Sequence, residues 1–164
     1  MEKLILIIGG NLGDRFALIQ KATAKLCEKF GPLFESSSIF ETEAWGGQSS
    51  GNYLNQVLIF QTDQKPKEIL ELIWEIENEC GRERVEKWGN RTMDIDILYL
   101  GKRVIDEKDL KIPHPHISER KFVLIPLAEI ISEFVHPVFG KTQAQMLQSC
   151  TDKSKVEKYQ KSPD

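Results

Sequence analysis

The sequence has few cysteines and no long hydrophobic run, and both absences narrow its possible functions. Its three cysteines, Cys27, Cys80 and Cys150, are far apart and form no CxxC pair. This argues against a zinc knuckle, a redox dithiol or a disulfide framework, and it favours reduced thiols in the cytoplasm. The first apolar stretch, residues 4–8, is too short for a secretory signal or a membrane span. We therefore expect a cytoplasmic protein without a membrane partner.

The chain also lacks a strong charge of either sign. Its formal net charge is −3, with 29% charged and 40% hydrophobic residues, which is ordinary for a globular protein. The overall field gives no reason to expect nucleic acid as a partner. A length of 164 residues fits one domain, which we assign to residues 1–151. Residues 152–164 are rich in lysine and predict a flexible tail, and nothing in the sequence requires more than a monomer.

The order of predicted elements indicates the fold class. Apolar residues 4–8 predict a buried strand, and residues 9–13 predict the turn that follows it. A helix, two strands (residues 33–42 and 53–61) and a second helix starting at Pro66 come next, before a strand at residues 94–100. This β-α-β-β-α-β order predicts an α+β, ferredoxin-like core with a mainly antiparallel sheet, helices packed on it and C-terminal additions.

A pair of carboxylates on the last strand is the most informative feature. Side chains two residues apart on a strand point to the same face, so Asp94 and Asp96 should project together. Ile95, Ile97 and Tyr99 would then fill the opposite, buried face. Magnesium suits such a pair, because it takes one or two carboxylates and completes its shell with water and substrate phosphates. The pair alone fits a solvent-exposed polar face of the sheet equally well.

A basic loop directly precedes these acids. The four cations of residues 81–91 are Arg82, Arg84, Lys87 and Arg91. One guanidinium group can bind two phosphate oxygens at once, and a loop can carry such groups to the site when a substrate binds. A solvated loop balanced by Glu83 and Glu86 is the alternative. Together with the adjacent acids, the cations predict magnesium-dependent transfer of a phosphate-type group from a nucleotide to a small acceptor.

Several separated motifs resemble those of one enzyme family. The segments are Asn11-Leu12-Gly13-Asp14-Arg15, Tyr53-Leu54-Asn55, Lys87-Trp88-Gly89-x-Arg91-Thr92-x-Asp94-Ile95-Asp96-Ile97-Leu98, Pro113-His114-Pro115 and Arg120-x-Phe122-Val123-Leu124-x-Pro126-Leu127. In this order and spacing, over residues 4–140, the sequence resembles 6-hydroxymethyl-7,8-dihydropterin pyrophosphokinase. The resemblance implies transfer of pyrophosphate from ATP to the hydroxymethyl group of a reduced pterin, with release of AMP, in folate biosynthesis.

The resemblance also implies a role for individual residues. Asp94 and Asp96 would bind two Mg²⁺ ions, with ATP as co-substrate, and the catalytic set would be Arg82, Arg91, Asp94 and Asp96. The implied ATP contacts are Glu77, Arg82, Arg84, Lys87, Trp88, Arg91, Ile97, His114 and Arg120. The implied pterin contacts are Thr42, Glu43, Trp45, Tyr53, Asn55, Asp94 and Phe122.

Five positions depart from the pattern of the family, among them Gly10, which replaces a serine. Trp74 replaces a glutamine that faces the nucleotide, so it either packs against adenine or fills the core. Lys87 replaces an arginine and loses its paired donors. Asp109 stands where some members carry a basic residue, and Pro115 replaces an aromatic residue.

Three other functions fit parts of the sequence. An RNA-binding module has the same order of elements, but it needs stacking aromatic residues and a basic surface, whereas Asp94 and Asp96 would repel RNA phosphates. A different metal-dependent phosphotransferase or nucleotidyltransferase could use the same scaffold. The acid pair and the arginines argue against a catalytically inactive regulatory domain.

Overall fold

An antiparallel sheet forms the centre of the protein, whose computed structural model describes residues 1–43, 52–81 and 92–160. Its strands are β1 (Glu2–Gly10), β2 (Glu35–Ser36), β3 (Phe40–Thr42), β4 (Tyr53–Thr62), β5 (Asp94–Leu100), β6 (Ile105–Glu107), β7 (Leu110–Ile112) and β8 (Val156–Lys158). The helices are α1 (Arg15–Phe30), α2 (Pro66–Glu79), α3 (Lys121–Ile131) and α4 (Gln143–Ser149), with a 3₁₀ turn at Ile117–Glu119.

The sheet order confirms the predicted α+β class. The strands lie in the order β5-β1-β4-β3-β8, with β2 also paired to β4 and every pairing antiparallel. Counting only β1, β3, β4 and β5, the order is fourth, first, third, second, which is the ferredoxin-like arrangement. The strands β6 and β7 form a separate hairpin beyond β5.

Both faces of the sheet are covered by helices. Leu4, Leu6 and Ile8 of β1 pack with buried residues of α1 and α2 on one face. Ile5 and Ile7 pack with buried residues of α3 and α4 on the other. This burial on both sides explains why β1 is apolar without alternation. None of the described helices is long and apolar enough to cross a bilayer.

The helix boundaries follow from local signals in the sequence. Asp14 caps α1 by accepting the N–H of Ala17 at 3.1 Å, and Gly31 ends that helix with a φ of 89°. Pro66 occupies the first turn of α2, where its missing N–H costs nothing. Thr142 and Gln145 form a capping box at the start of α4.

Two predicted strand boundaries are wrong. The strand β1 continues through Gly9 and Gly10, which pair with β4, so the turn begins only at Asn11. The single strand predicted for residues 33–42 is divided into β2 and β3. The break lies at Ser37, whose hydroxyl accepts the N–H of Val57 at 2.9 Å and so takes the place of a backbone carbonyl in the ladder.

A bulge in β5 overturns the predicted position of Tyr99. Leu6 pairs with Ile97 but Ile5 pairs with Tyr99, so Leu98 is an extra residue in the strand. Ile95 and Ile97 are buried against α1 and α2, as predicted. Tyr99 is buried on the opposite face, because the extra residue reverses the alternation of side chains beyond it.

The predicted flexible tail is also wrong for residues 152–160. Within them, β8 pairs with β3, and the N–H of Tyr159 donates to the carbonyl of Ile39 at 2.8 Å. The composition gave no indication of this pairing, because β8 is short and its partner is more than 100 residues away in the sequence. By pairing, β8 covers the otherwise open edge of β3.

Candidate active site

A row of paired residues crosses the sheet at the carboxylates. Asp94 of β5 pairs with Gly9 of β1, Gly9 pairs with Asn55 of β4, and Asn55 pairs with Phe40 of β3. Residues directly opposite each other in a sheet point to the same face. The side chains of Asp94 and Asn55 therefore lie on one face, separated only by a glycine that has no side chain.

The neighbouring positions on this face belong to the same set of predicted residues. Asp96 is opposite Ile7, whose side chain faces α3 and α4, so both acids belong to this face of the sheet. At the other end, Thr42 is opposite Tyr53. Phe122, the second residue of α3, packs against the core on the same side. The register thus places the predicted metal contacts and several of the predicted pterin contacts on one face of the sheet. Their binding roles remain predictions.

A cavity of about 360 Å³ lies along the outer edge of β5. Its lining includes both acids and three of the predicted ATP contacts, Glu77, Ile97 and His114. Arg120, another predicted ATP contact, is outside that lining and has its guanidinium 5.8 Å from the ring of Phe122.

The same cavity includes residues that the sequence analysis did not assign to a site. From α2 and the β6–β7 hairpin come Leu70, Lys108, Leu110 and Lys111, together with two of the departures, Asp109 and Pro115. Trp74 of α2, for which contact with adenine is one of the two predicted alternatives, also lines the cavity. No local motif marks the hairpin lysines; they reach the cavity only because the hairpin lies beside β5. The Trp74 side chain is 46% exposed, which excludes the alternative that it fills the core.

Glu77 has a structural contact that its predicted ATP role does not include. It is 3% exposed, and its Oε2 accepts the backbone N–H of Ile95 at 2.9 Å. Ile95 lies between Asp94 and Asp96, so this carboxylate fixes the edge of the strand that carries both acids. A charge-assisted bond of this kind is stronger than one between neutral groups.

We expect Glu77→Ala to lower the free energy of unfolding by about 1–3 kcal/mol, because it leaves the buried N–H of Ile95 without its acceptor. Urea unfolding would measure this loss. Glu75→Ala is the matched control, because Glu75 lies on the same helix and is 54% exposed. Its ion pair with Lys29 is long, 3.9 Å. Equal stability of the two variants would contradict the structural role of Glu77.

His114 is a neutral donor at the cavity. Burial, together with the positive charge of Arg120, lowers the pKa of His114 to about 4. Its Nδ1 accepts the N–H of His116 at 3.1 Å, so the single ring proton is on Nε2. Its own backbone N–H donates to Leu98 at 3.0 Å and ties the residue to β5. The imidazole therefore offers one N–H to an anionic ligand without carrying a charge.

The predicted pterin contacts include a buried hydroxyl without a partner. Thr42 is 3% exposed, and its Oγ1 has no hydrogen-bond partner among the described residues. Leaving a buried hydroxyl unpaired costs about 1–3 kcal/mol. Within the described part of the chain, the amide of Asn55 makes one long side-chain contact, 3.5 Å, from Nδ2 to the carbonyl of Ile8. Glu43 is exposed, and its backbone N–H donates to Lys155. Polar groups on this face are thus suited to the edge of a heterocycle.

The remaining predicted residues, Trp45, Arg82, Arg84, Lys87, Trp88 and Arg91, lie outside the described residues. Within the described ranges, no group of three or more acidic, histidine or cysteine side chains could enclose a metal ion. The donor set of two aspartates fits magnesium, which takes its other ligands from water and phosphate, and does not fit a closed zinc site.

A carboxylate pair beside a cavity with lysines and a neutral histidine, on an α+β sheet, is typical of enzymes that transfer phosphate groups with a metal ion. Comparison with known proteins identifies which enzymes these are. A family model described as 7,8-dihydro-6-hydroxymethylpterin-pyrophosphokinase matches residues 5–132. The chain belongs to this family and is therefore a pyrophosphokinase.

Curated relatives agree over most of the chain. The 2-amino-4-hydroxy-6-hydroxymethyldihydropteridine pyrophosphokinase of Aquifex aeolicus is 43% identical over 141 residues, which cover 86% of this chain and 88% of the relative. The Bacillus subtilis enzyme of the same name is 41% identical over 127 residues, or 77% and 76% of the two chains.

Solved structures support the fold. The Plasmodium falciparum HPPK-DHPS wild-type structure matches with a TM-score of 0.69 and 16% identity over 90% of this chain. An HPPK-DHPS structure in complex with substrates gives a TM-score of 0.70. The chain spans less than half of these solved chains, 44% and 43%.

Proposed function

We propose that this pyrophosphokinase transfers the β,γ-pyrophosphate of ATP to the hydroxymethyl group of 6-hydroxymethyl-7,8-dihydropterin, a step of folate biosynthesis. The acceptor oxygen forms a bond to the β-phosphorus, the bond from that phosphorus to the α,β-bridging oxygen breaks, and AMP leaves while the hydroxyl proton is released. The observation that supports the proposal is the row Asp94–Gly9–Asn55, which sets a carboxylate and an amide on one face with only a glycine between them. A metal ion held by the carboxylate would then lie beside a pterin held by the amide.

In this proposal Asp94 and Asp96 hold two Mg²⁺ ions. When bound, these ions would supply positive charge that offsets the charge of the phosphates. On the cavity side, Lys108 and the Nε2–H of His114 bind phosphate oxygens, and Lys111, whose Nζ pairs with Asp106, adds positive charge to the lining. The basic loop adds the predicted contacts of Arg82, Arg84, Lys87, Trp88 and Arg91, with Arg82 and Arg91 in the catalytic set, and Arg120 and Ile97 complete the ATP site.

The pterin binds on the sheet face. The hydroxyl of Thr42 and the amide of Asn55 bond to its polar edge, which supplies a partner for Thr42 Oγ1 that the described residues do not provide. Tyr53 and Phe122 pack on its ring faces, an arrangement that aromatic rings favour. Glu43 and Trp45 are proposed to lie at the rim of this site.

The adenine ring is proposed to stack on Trp74. This indole is half-exposed and lines the cavity with Leu70 and Leu110, which gives a flat apolar surface of the kind that binds a base. Stacking of a base on an aromatic side chain contributes about 1–3 kcal/mol.

We expect Trp74→Gln to weaken binding of a non-hydrolysable ATP analogue about tenfold, because it removes the stacking surface. Trp74→Phe, which keeps a smaller ring, should lose less. Calorimetric titration of both variants provides the measurement. If Trp74→Gln bound the analogue as tightly as the wild type, the base would be bound elsewhere.

Product analysis tests the reaction itself. The protein, ATP, Mg²⁺ and the reduced pterin should yield AMP and a pterin diphosphate, which ³¹P NMR distinguishes from ADP and a pterin monophosphate. ADP would indicate an ordinary kinase. AMP formed equally fast without the pterin would indicate hydrolysis and would contradict transfer.

The proposal includes a monomer in the cytoplasm, with neither nucleic acid nor membrane as a partner. Its support is modest net charge and three free cysteines, as expected for a reducing compartment. Light scattering at working concentration would test the oligomeric state.

A further inference from the structure

The C-terminal segment, residues 152–159, contacts both walls of the proposed pterin site. One wall is the sheet face with Thr42, and the other is the start of α3 with Phe122. Asp152 accepts the backbone N–H of Lys121, the residue before Phe122, at 3.0 Å. Four residues later, Val156 pairs with Thr42. A short stretch of chain therefore connects the two walls directly.

The bond to α3 supplies a cap that the helix itself lacks. Arg120 is the N-cap residue and makes no side-chain capping bond. The other oxygen of Asp152 accepts from the backbone N–H and the hydroxyl of Ser154, at 2.9 and 2.6 Å. Burial alone would raise the pKa of Asp152, but these bonds and that from Lys121 hold it below its ordinary value. An ionised carboxylate at a helix N-terminus is favourable.

Backbone hydrogen bonds join the segment to the chain of β3 on both sides of Thr42, the proposed pterin contact. The N–H of Glu43 donates to Lys155 at 3.2 Å, and the N–H of Tyr159 donates to Ile39 at 2.8 Å. Hydrogen-bonded pairs alternate along an antiparallel ladder, so Glu41 and Glu157 form the bonded pair between them. Thr42 is thus held between two bonded pairs.

Side chains fix the end of this segment to α1. The ring of Tyr159 lies 6.2 Å from the ring of Phe16. The guanidinium of Arg15 lies 5.7 Å from the ring of Tyr159. Arg15 also binds the carboxylate of Glu41 in β3 at 2.7 Å and the carbonyl of Asn52 at 3.0 Å. The segment, β3 and the residue before β4 therefore share one set of contacts.

We propose that residues 152–159 are a positioning element of the pterin site, which sets the spacing between Thr42 and Phe122. The inference rests on the proposed function, because it assigns those two residues to the pterin. It predicts that loosening the segment weakens pterin binding more than ATP binding. Of the predicted ATP contacts, Glu77, Ile97 and His114 lie on α2, on β5 and after the β6–β7 hairpin. Arg120, in contrast, is the N-cap residue of α3 and adjoins Lys121, which the segment binds.

Glu157→Pro and Glu157→Ala form a matched pair of variants in the full chain. Both remove the same exposed side chain, but only proline removes the N–H that pairs with β3. A second pair is Asp152→Ala, which removes the cap of α3, and Lys153→Ala, which changes the adjacent exposed residue. Thermal unfolding would first establish that each variant is folded at the assay temperature.

Steady-state kinetics then separates positioning from general destabilisation. We expect Glu157→Pro and Asp152→Ala to raise KM for the pterin about tenfold at saturating ATP, as loss of one or two hydrogen bonds implies. In Glu157→Pro the KM for ATP should stay within about twofold. In Asp152→Ala the KM for ATP should rise less than the KM for the pterin, because Arg120 adjoins the end of α3 that loses its cap. In both variants kcat should stay within about twofold, and both control variants should match the wild type. Asp152→Asn, whose side-chain oxygen can still accept from Lys121, should raise the KM for the pterin less than Asp152→Ala does. That difference would support the capping contact.

Two results would overturn the inference. One is an unchanged pterin KM in both folded test variants, and the other is an equal rise of KM for pterin and ATP. Should Glu157→Pro fail to fold, Asp152→Ala decides alone. Wild-type protein that forms no pterin diphosphate would instead refute the proposed function, so the two failures are distinguishable.

Discussion

Replacing Asp96 with asparagine should lower kcat at least about a hundredfold, while the domain stays folded. In the proposed mechanism this carboxylate holds Mg²⁺ against the charge of the transferring pyrophosphoryl group. Loss of several kcal/mol of that stabilisation corresponds to two or more powers of ten in rate. Asparagine keeps the shape and one acceptor oxygen, so its position opposite Ile7 in the sheet should be preserved. Rapid-quench measurement of AMP formation would determine the rate.

The control for this variant is another aspartate changed in the same way. Asp63→Asn alters an exposed carboxylate that pairs with the N-terminal amine at 3.2 Å, at the far end of β4. It should leave kcat unchanged. The Asp96 variant should also need a higher Mg²⁺ concentration for half-maximal rate. Normal turnover at ordinary Mg²⁺ would show that the metal is bound elsewhere.

Local patterns predicted much of the fold. Asp14, Pro66 and Thr142 mark helix starts because capping depends on residues within one turn. The apolar residues 4–8 predict a central strand because burial on both sides removes alternation. The two acids are placed on one face by a period of two, which the strand geometry alone fixes.

The errors arise where distant parts of the chain determine the structure. The sequence Ile97-Leu98-Tyr99 is uniformly apolar, so nothing local marks Leu98 as the extra residue of the bulge. The strand β8 exists because β3 offers it an edge, which composition cannot show. These contacts are tertiary, and tertiary context overrides local preference.

The candidate site likewise combines residues that local motifs predict with residues that only tertiary packing brings there. The motifs predicted the two acids and His114 as site residues, and the structure places all three along one cavity. The bond from Ile95 to Glu77, in contrast, joins residues 18 apart across α2 and β5, which no local motif marks. The lysines of the β6–β7 hairpin enter the cavity only through the packing of that hairpin beside β5. The exposed position of Trp74 likewise follows from the way α2 lies along the cavity, which a single helix pattern does not fix.

Gly9→Ala should damage the pterin site through the sheet itself. A Cβ at Gly9 would overlap the carbonyl oxygen of Leu54 and the side-chain amide of Asn55. Because one of these is backbone, β1 and β4 must move apart where they lie beside Asp94. We expect the free energy of unfolding to fall by about 1–3 kcal/mol, the usual cost of overpacking. The KM for the pterin should rise at least about tenfold, because the amide of Asn55 is displaced.

A double-mutant cycle with Asn55→Ala identifies the cause of this loss. If Gly9→Ala acts on pterin binding by displacing the Asn55 amide, the double variant should have nearly the pterin KM of Asn55→Ala alone. Its stability should still be reduced, because the overlap with the Leu54 carbonyl persists without the amide. Fully additive effects on pterin KM would mean that Gly9 acts independently of Asn55. Wild-type stability in Gly9→Ala would mean that the two strands can separate freely at this point, and the row Asp94–Gly9–Asn55 would then not be the rigid base of the site.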